Sequence, residues 1–336
     1  MTDRPLLTLA VITYNQAALV AEAVRGALAQ TYTPLEIILS DDRSPDETFA
    51  VMQALAADYH GPHTVIVRQT PRNLGLIGHI NDVTQMARGE LIVIAAGDDI
   101  SLPKRAERVC AEYLASGRRA HSIFSNAIWI DESGREMNLL HKQPVPPEEL
   151  TLANYAARRV PALVNGATQA WSKALFDFFG PIDPSLGAED IVLPFRAALL
   201  GEIRYIHEPL VRYRRDTTRL NARPGQSSLG KYRQEWLKWK RLTAAVQQGR
   251  LNDLDLFTAR RGNTPELESI RQVVQTRRDQ LRLEIDAATG VLRPADVGWK
   301  TYLHLRLKSF VTPLYEFIRL LTYYKYQDMR RMLRAK

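Results

Sequence analysis

Apolar and polar positions follow two alternating periods along the first third of the chain. Leu6–Thr13 is an apolar run rich in β-branched residues and predicts a strand. From about Ala17 to Ala29 apolar residues recur at helical spacing. Leu35–Ser40 predicts a second strand, and Ser44-Pro45-Asp46-Glu47 has the form of a helix start. Ser44 would be the N-cap, Pro45 the first helical residue and Glu47 the return partner of a capping box. Thr64–Arg68 predicts a third strand, followed by a helix to about Ala87. Leu91–Ala96 is short and wholly apolar, as a strand covered on both faces must be, and Pro103 opens a further helix. Strands and helices alternate in this way to about Ala115, the pattern of a mostly parallel sheet with helices on both faces.

Further along, the pattern loosens. Ser122–Ile130 predicts a strand and Asp131–Gly134 a turn. Gln143–Pro147 is an irregular linker, Asn165–Ala170 leads into a helix at about Lys173–Phe179, and Arg223–Ser228 has the composition of a boundary. Leu229 to about Ala287 is polar and helical in period, with breaks expected near Gly249 and Gly262. From Trp299 the chain predicts a separate helical appendage. The 336 residues contain no internal repeat and allow one large domain plus an extension.

The chemistry gathers where strands end. Asp98 and Asp99 close the apolar run Leu91–Ala96, and Asp41 and Asp42 close the second strand. The carboxyl ends of strands in open α/β sheets are where such sheets bind ligands. Hard oxygen ligands there suit Mg²⁺ or Mn²⁺, and such a metal would hold a substrate diphosphate. Read locally, Asp98 and Asp99 need only make a turn and cap the next helix. Asn73, Gly75, Gly78 and Asn81 form a glycine-spaced segment after the third strand, where backbone can approach a ligand closely.

Taken in order, these segments resemble a known family. Thr13-Tyr14-Asn15, then Glu36 through Asp41-Asp42 to Ser44, then Asn73, Gly75 and Asn81, then Ala87-Arg88-Gly89-Glu90, and finally Gly97-Asp98-Asp99 with Leu102-Pro103 are similar to the family 2 glycosyltransferases of bacterial surface polysaccharide assembly. The resemblance is specific over roughly the first 110 residues. It continues to about residue 220 through Gly187-Ala188-Glu189-Asp190 and the segment Glu208–Arg214. It implies an α/β GT-A fold over residues 1–225; the last third carries no family signal, and its helical period makes 226–336 a helical C-terminal extension, contacting a membrane or a partner. It implies an inverting transfer of a sugar from a UDP- or dTDP-linked donor to a hydroxyl of a glycan or lipid-linked acceptor, in O-antigen, capsule or exopolysaccharide synthesis. The residues carried over are Asp98 as the metal-associated carboxylate, with Mn²⁺ or Mg²⁺ as cofactor, and Asp99 as its support or a sugar contact. Thr13, Tyr14, Asn15, Asp41 and Asn73 would line the nucleotide-sugar pocket. Asp190 would be the catalytic base, with Glu189 beside it; on local grounds the pair also fits the acidic first turn of a helix. The chain departs from the family at Ala96, where an earlier Asp of the Asp-x-Asp element usually stands, and after Arg214, where a metal-ligating His is replaced by Arg215-Asp216. Asp216 would then be a substitute oxygen ligand. Arg212, Arg214 and Arg215 suit phosphate oxygens or a solvated strand edge. His79 reads as core or as a sugar contact, and His207 as structural.

Composition changes this picture in two places. Cys110 is the single cysteine, so no internal disulfide forms and a reducing compartment is expected; the residue reads as a small buried hydrophobe. With no signal pattern and no apolar run of spanning length, the expectation is a cytoplasmic protein, peripheral at the inner face of the membrane. The net charge of +8 is uneven: residues 300–336 hold nine Lys and Arg against two acidic residues, with aromatics interleaved. An anionic membrane surface is the partner such a segment fits, and a packed helix with a solvated basic face is the plainer reading. Charge alone does not make a nucleic-acid binder, and none is expected. A sugar nucleotidyltransferase is the alternative enzyme, but Thr13–Gln16 lacks the glycine-rich, basic phosphate loop that such an enzyme places after its first strand. A non-catalytic sugar-nucleotide-binding relative is the other alternative, kept open by Ala96.

Overall fold

Leu7–Thr13 (β1) is buried at every residue, which only a strand covered on both faces allows. It is the centre of the fold seen in the computed structural model, which describes residues 4–137, 150–157, 165–215, 229–309 and 311–313. β1 pairs in parallel with β2 (Leu35–Asp41) on one side and β4 (Leu91–Ala96) on the other, and β3 (Thr64–Gln69) extends the sheet beyond β2. The helices α1 (Val20–Leu28), α2 (Thr48–Ala57), α3 (Gly75–Met86) and α4 (Arg105–Ala115) connect or follow these strands. Past β4 the sheet turns antiparallel. The remaining strands are β5 (Ile100–Ser101), β6 (Ala120–Ile130), β7 (Ala170–Ser172) and β8 (Glu202–Arg214), and the spatial order is β3-β2-β1-β4-β7-β6-β8-β5. β7 pairs antiparallel with β4 and β6, while β6 and β8 run parallel. Leu9, Val24, Ile37, Val93, Val109 and Ile123 belong to one buried apolar cluster. Cys110 is part of it, as its sequence context implied.

The described residues fall into two units. The first comprises Met1–Asp216 and Asn252–Ile270, the second Thr217–Leu251 and Arg271–Lys336. The first unit also holds α5 (Leu152–Ala157), α6 (Ala174–Phe179) and α7 (Glu189–Leu200). Two long helices, α8 (Leu229–Arg261) and α9 (Pro265–Thr289), run through both, and α10 (Pro294–Val297) and a helix over residues 299–309 lie in the second. In the second unit Ala287, Leu292 and Leu305 form an apolar cluster, and Glu284 accepts from Lys240 (2.7 Å) and Lys308 (2.8 Å).

Several sequence expectations are corrected. α2 begins at Thr48, and no capping box forms. Ser44 donates to Asp41 instead, and Asp46 Oδ1 accepts the Thr48 N–H at 3.1 Å, because its carboxylate lies closer to the exposed amides. α1 starts at Val20, three residues later than the periodicity suggested. A short strand, β7, which the sequence did not predict, stands before α6. Gly249 does not break α8, since the roughly 1 kcal/mol that glycine costs in a helix is small beside packing; Gly262, at φ 90°, does end it. The linker 143–147, the boundary 223–228 and Asp216 lie outside the described residues.

Candidate active site

The carboxyl edge of the parallel strands β2, β1 and β4 brings together Asp41, Thr13 and the Asp98-Asp99 corner. Backbone bonds hold the corner in place: Gly97 N–H donates to Ile12 O (3.0 Å) and Asp42 N–H to Thr13 O (2.9 Å). Gly97 has no room for a side chain. A Cβ built there would lie 2.5 Å from Thr13 Cγ2 and would strike Gln16 Oε1.

Asp99 is 3% exposed. Its Oδ1 accepts the backbone N–H of Arg214 at 2.7 Å. Burial, and then the neighbouring Asp98 charge, pushes its carboxyl up to about 8, against the pull of the Arg214 N–H, Arg105 and Arg214. Arg105 lies beneath the corner, 1% exposed, its Nη2 donating to Ile94 O (2.7 Å) and Ala167 O (3.1 Å) and its Nη1 to Ser101 Oγ (2.9 Å). Burial draws that guanidinium down to about 10 even though Asp99 opposes it.

Arg105 thereby joins the corner to the short turn Gly166–Thr168, which abuts the start of α7. Glu189 and Asp190 occupy the first turn of that helix. A Cβ at Gly166 would collide with Glu189 Oε1, and it would lie 3.5 Å from Asp190 Cβ, so glycine is what admits the acidic pair. Glu189 is buried, and burial together with the Asp190 charge pushes its carboxyl up to about 7.

Tyr213 is the penultimate residue of β8 and feels both acidic groups. Its hydroxyl is raised by burial and then by the charges of Asp99, Asp98 and Asp190, with Arg215 opposing, so all four charged groups lie within electrostatic reach of one phenol. Tyr213, Arg105 and Gly166 were not read from the sequence as site residues. Tyr213 lay inside the late-strand motif, and its aromatic ring at a strand end was the signal available.

The residues expected to line the nucleotide-sugar pocket divide into exposed and internal. Tyr14 is 50% exposed, and Asn15 and Asn73 are exposed. Asn15 holds φ at 56°, and its N–H donates to Ser44 Oγ at 2.8 Å. Asn73 Oδ1 accepts the N–H of Gly75, itself at φ 70°. Asp41 and Thr13 face inward. The Asp41 carboxylate is fully buried and accepts from Thr13 Oγ1 (3.1 Å), Ser44 N (2.9 Å), Gln69 Nε2 (2.8 Å) and Ser44 Oγ. Asp42 accepts from Leu74 N (2.8 Å) and Gly75 N (2.9 Å). This acidic pair therefore fastens the loops that follow β2 and β3.

The arginines of β8 are also committed. Arg214 is buried and donates to Glu22, Asp98 O, Asp131 O and Glu132 O. Arg212 pairs with Glu136, and Arg215 stacks 4.2 Å over the Trp129 ring. Of the three, only Arg215 combines half exposure with a place near the carboxylates. His79 is core, bonded to Ser40 Oγ at 2.7 Å, while His207 is exposed against Tyr205.

Residues 8–160 match the family model of glycosyl transferase family 2. EpsE of Bacillus subtilis (strain 168) is 31% identical over 147 residues, 44% of this chain and 52% of that protein. The succinoglycan biosynthesis protein ExoO of Rhizobium meliloti (strain 1021) is 28% identical over 199 residues, 59% of this chain and 53% of that one. The chain thus spans about half the length of these relatives. The crystal structure of S. aureus TarS 1-349 in complex with UDP-GlcNAc is similar in fold, with a TM-score of 0.51 at 16% identity over 96% of this chain and 92% of that chain. The fold is GT-A.

Proposed function

We propose that this chain is an inverting glycosyltransferase that moves a sugar from a UDP- or dTDP-linked donor to a hydroxyl of a glycan or lipid-linked acceptor in surface polysaccharide synthesis. The Asp98-Asp99 corner at the end of β4, with Glu189 and Asp190 packed against Gly166, in a chain whose residues 8–160 match the family 2 model, carries this reading. ExoO's printed role in succinoglycan biosynthesis supports the polysaccharide context.

Three tasks fall to these residues. Tyr14, Asn15 and Asn73 offer exposed groups to the nucleotide, on loops fastened by Asp41 and Asp42. Asp190 takes the proton of the acceptor hydroxyl as that oxygen attacks the anomeric carbon from the face opposite the diphosphate. Glu189, beside it, is buried and keeps its own proton below about pH 7. The diphosphate leaves with negative charge, and the half-exposed Arg215 stands where a cation can meet it.

A divalent cation fits the donor set in one manner. Among the described residues no three His, Cys, Asp or Glu side chains gather into a metal cage. Mg²⁺ and Mn²⁺ sites of phosphate enzymes need only one or two carboxylates, the substrate oxygens completing the shell. Asp98 would be that carboxylate, since Asp99 already accepts the Arg214 amide. When bound, the ion would supply Lewis-acid neutralisation of the diphosphate.

Asp190→Asn tests the assignment. Transfer should fall by about two to four orders of magnitude with donor affinity nearly unchanged, and the wild-type product should have inverted anomeric configuration. A retained configuration would overturn the mechanism, and full activity in Asp190→Asn would remove the base.

A further inference from the structure

The helix over residues 299–309 has two apolar sides, where a helix packed on one core needs one. Tyr302, Leu305 and Ser309 form its inner side, with Tyr302 and Leu305 in the cluster around Ala287 and Leu292, and the Arg306 guanidinium fastens it to Ala287 O at 2.6 Å. The second side is in solvent. Trp299 is 68% exposed, Leu303 53% and Leu307 62%, and Val311, one turn on, is 52% exposed. These four positions step by four residues. At about 100° per residue they form a slowly turning stripe roughly opposite the packed side.

The charges of this segment say what the stripe faces. Residues 300–336 carry nine Lys and Arg against two acidic residues, which accounts for most of the chain's net charge of +8. Lys300 and His304 stand exposed on the helix itself, while Lys308 is drawn to Glu284. A protein partner would have to be both apolar and acidic along one face. A bilayer with anionic headgroups presents both properties at every point, an apolar interior beneath a negative surface. No described helix is long and apolar enough to cross a membrane, so the fit is to an element lying in the interface plane. Trp299 at one end suits the headgroup level, where indole rings are favoured.

We infer that the Trp299–Leu303–Leu307–Val311 stripe seats the second unit on an anionic lipid surface, its apolar side chains entering the acyl boundary and the exposed Lys300 meeting the headgroups. The inference is independent of the transfer chemistry and is measured without sugar donor.

The test is flotation of the full chain with phosphatidylcholine vesicles, with and without phosphatidylglycerol. The wild type should float with the anionic vesicles only, less so as salt rises. Leu303→Ser with Leu307→Ser should weaken that binding about tenfold or more, while Val291→Ser, which alters an apolar residue 65% exposed outside the stripe, should leave it intact. Equal flotation of the double variant and the wild type would overturn the proposal, as would equal flotation with neutral vesicles. Two other results would assign the stripe a different occupant and equally overturn it. One is a wild-type dimer that the double variant loses. The other is a fall in the double variant's melting temperature with no vesicle binding by the wild type, which would mean that the chain covers the stripe itself.

Discussion

Replacing Glu189 by Gln removes a titration from the centre of the site while keeping the shape of the side chain that Gly166 admits. The carboxyl is pushed up from 4.5 to about 7. Between those values the folded chain holds a proton that the unfolded chain has released. A raised carboxyl pKa therefore costs stability as pH climbs through that window, and the loss is complete above pH 7. At about 1.36 kcal/mol per unit of pKa, the full cost is on the order of 3 kcal/mol. Glu189→Gln escapes it. Near pH 5 the variant and the wild type should melt together to within a degree or two. Near pH 8 the variant should melt higher by about 6–12 °C, taking roughly 2–4 °C per kcal/mol for a unit of this size. Scanning calorimetry or dye-based melting across pH 5 to 8 reads the difference directly. Parallel melting curves for the two proteins over that range would refute the burial argument. The same variant probes catalysis: transfer should survive in Glu189→Gln, and loss of transfer there with retention in Asp190→Asn would mean that the proton acceptor is the other member of the pair.

Two further substitutions address the corner of β4. Asp98→Asn should abolish any Mn²⁺-dependent part of the thermal shift produced by UDP or dTDP while leaving the apo melting temperature in place; an unchanged Mn²⁺-dependent shift would exclude Asp98 as the metal-associated residue. Arg214→Ala should cost about 3 kcal/mol, because four acceptors lose a buried donor, and should weaken nucleotide-sugar binding as the Asp98-Asp99 corner loosens. Arg214→Lys, which keeps the charge without the fork, should recover only part of both, and wild-type melting and binding in Arg214→Ala would show that the corner stands without it.

How much of this was legible beforehand depended on whether the determining interaction was local. The strand Leu91–Ala96 and its terminal acids could be read because a short apolar run ending in carboxylates carries its own explanation. β7 could not, since three residues show no period and their pairing with β4 and β6 is set by residues far away in the chain. Ser44 was misread because a local capping rule competes with a long-range one, and Asp41 takes the hydroxyl. The β8 arginines illustrate the same limit. Nearby positions in one motif look alike in sequence, yet Arg214 is an internal fastener, Arg212 a surface pair and Arg215, just past the strand, stacks on tryptophan, according to what packs against each. The acidic pair Glu189-Asp190 was found through motif order, but the separate environments of its two members came only with Gly166 and the burial around it.

The absence of space at Gly97 bears on how such a site can change over generations. In a population of variants selected for turnover, position 97 would stay constant although it has been assigned no contact with donor or acceptor. Any larger residue must first displace Thr13, the same side chain that steadies Asp41. Position 96, half-buried one residue earlier, is alanine, where the resembled family usually has an acid. Constancy along this segment would therefore record crowding, and variability would record chemistry, the reverse of what a profile of substitution frequencies is ordinarily taken to mean.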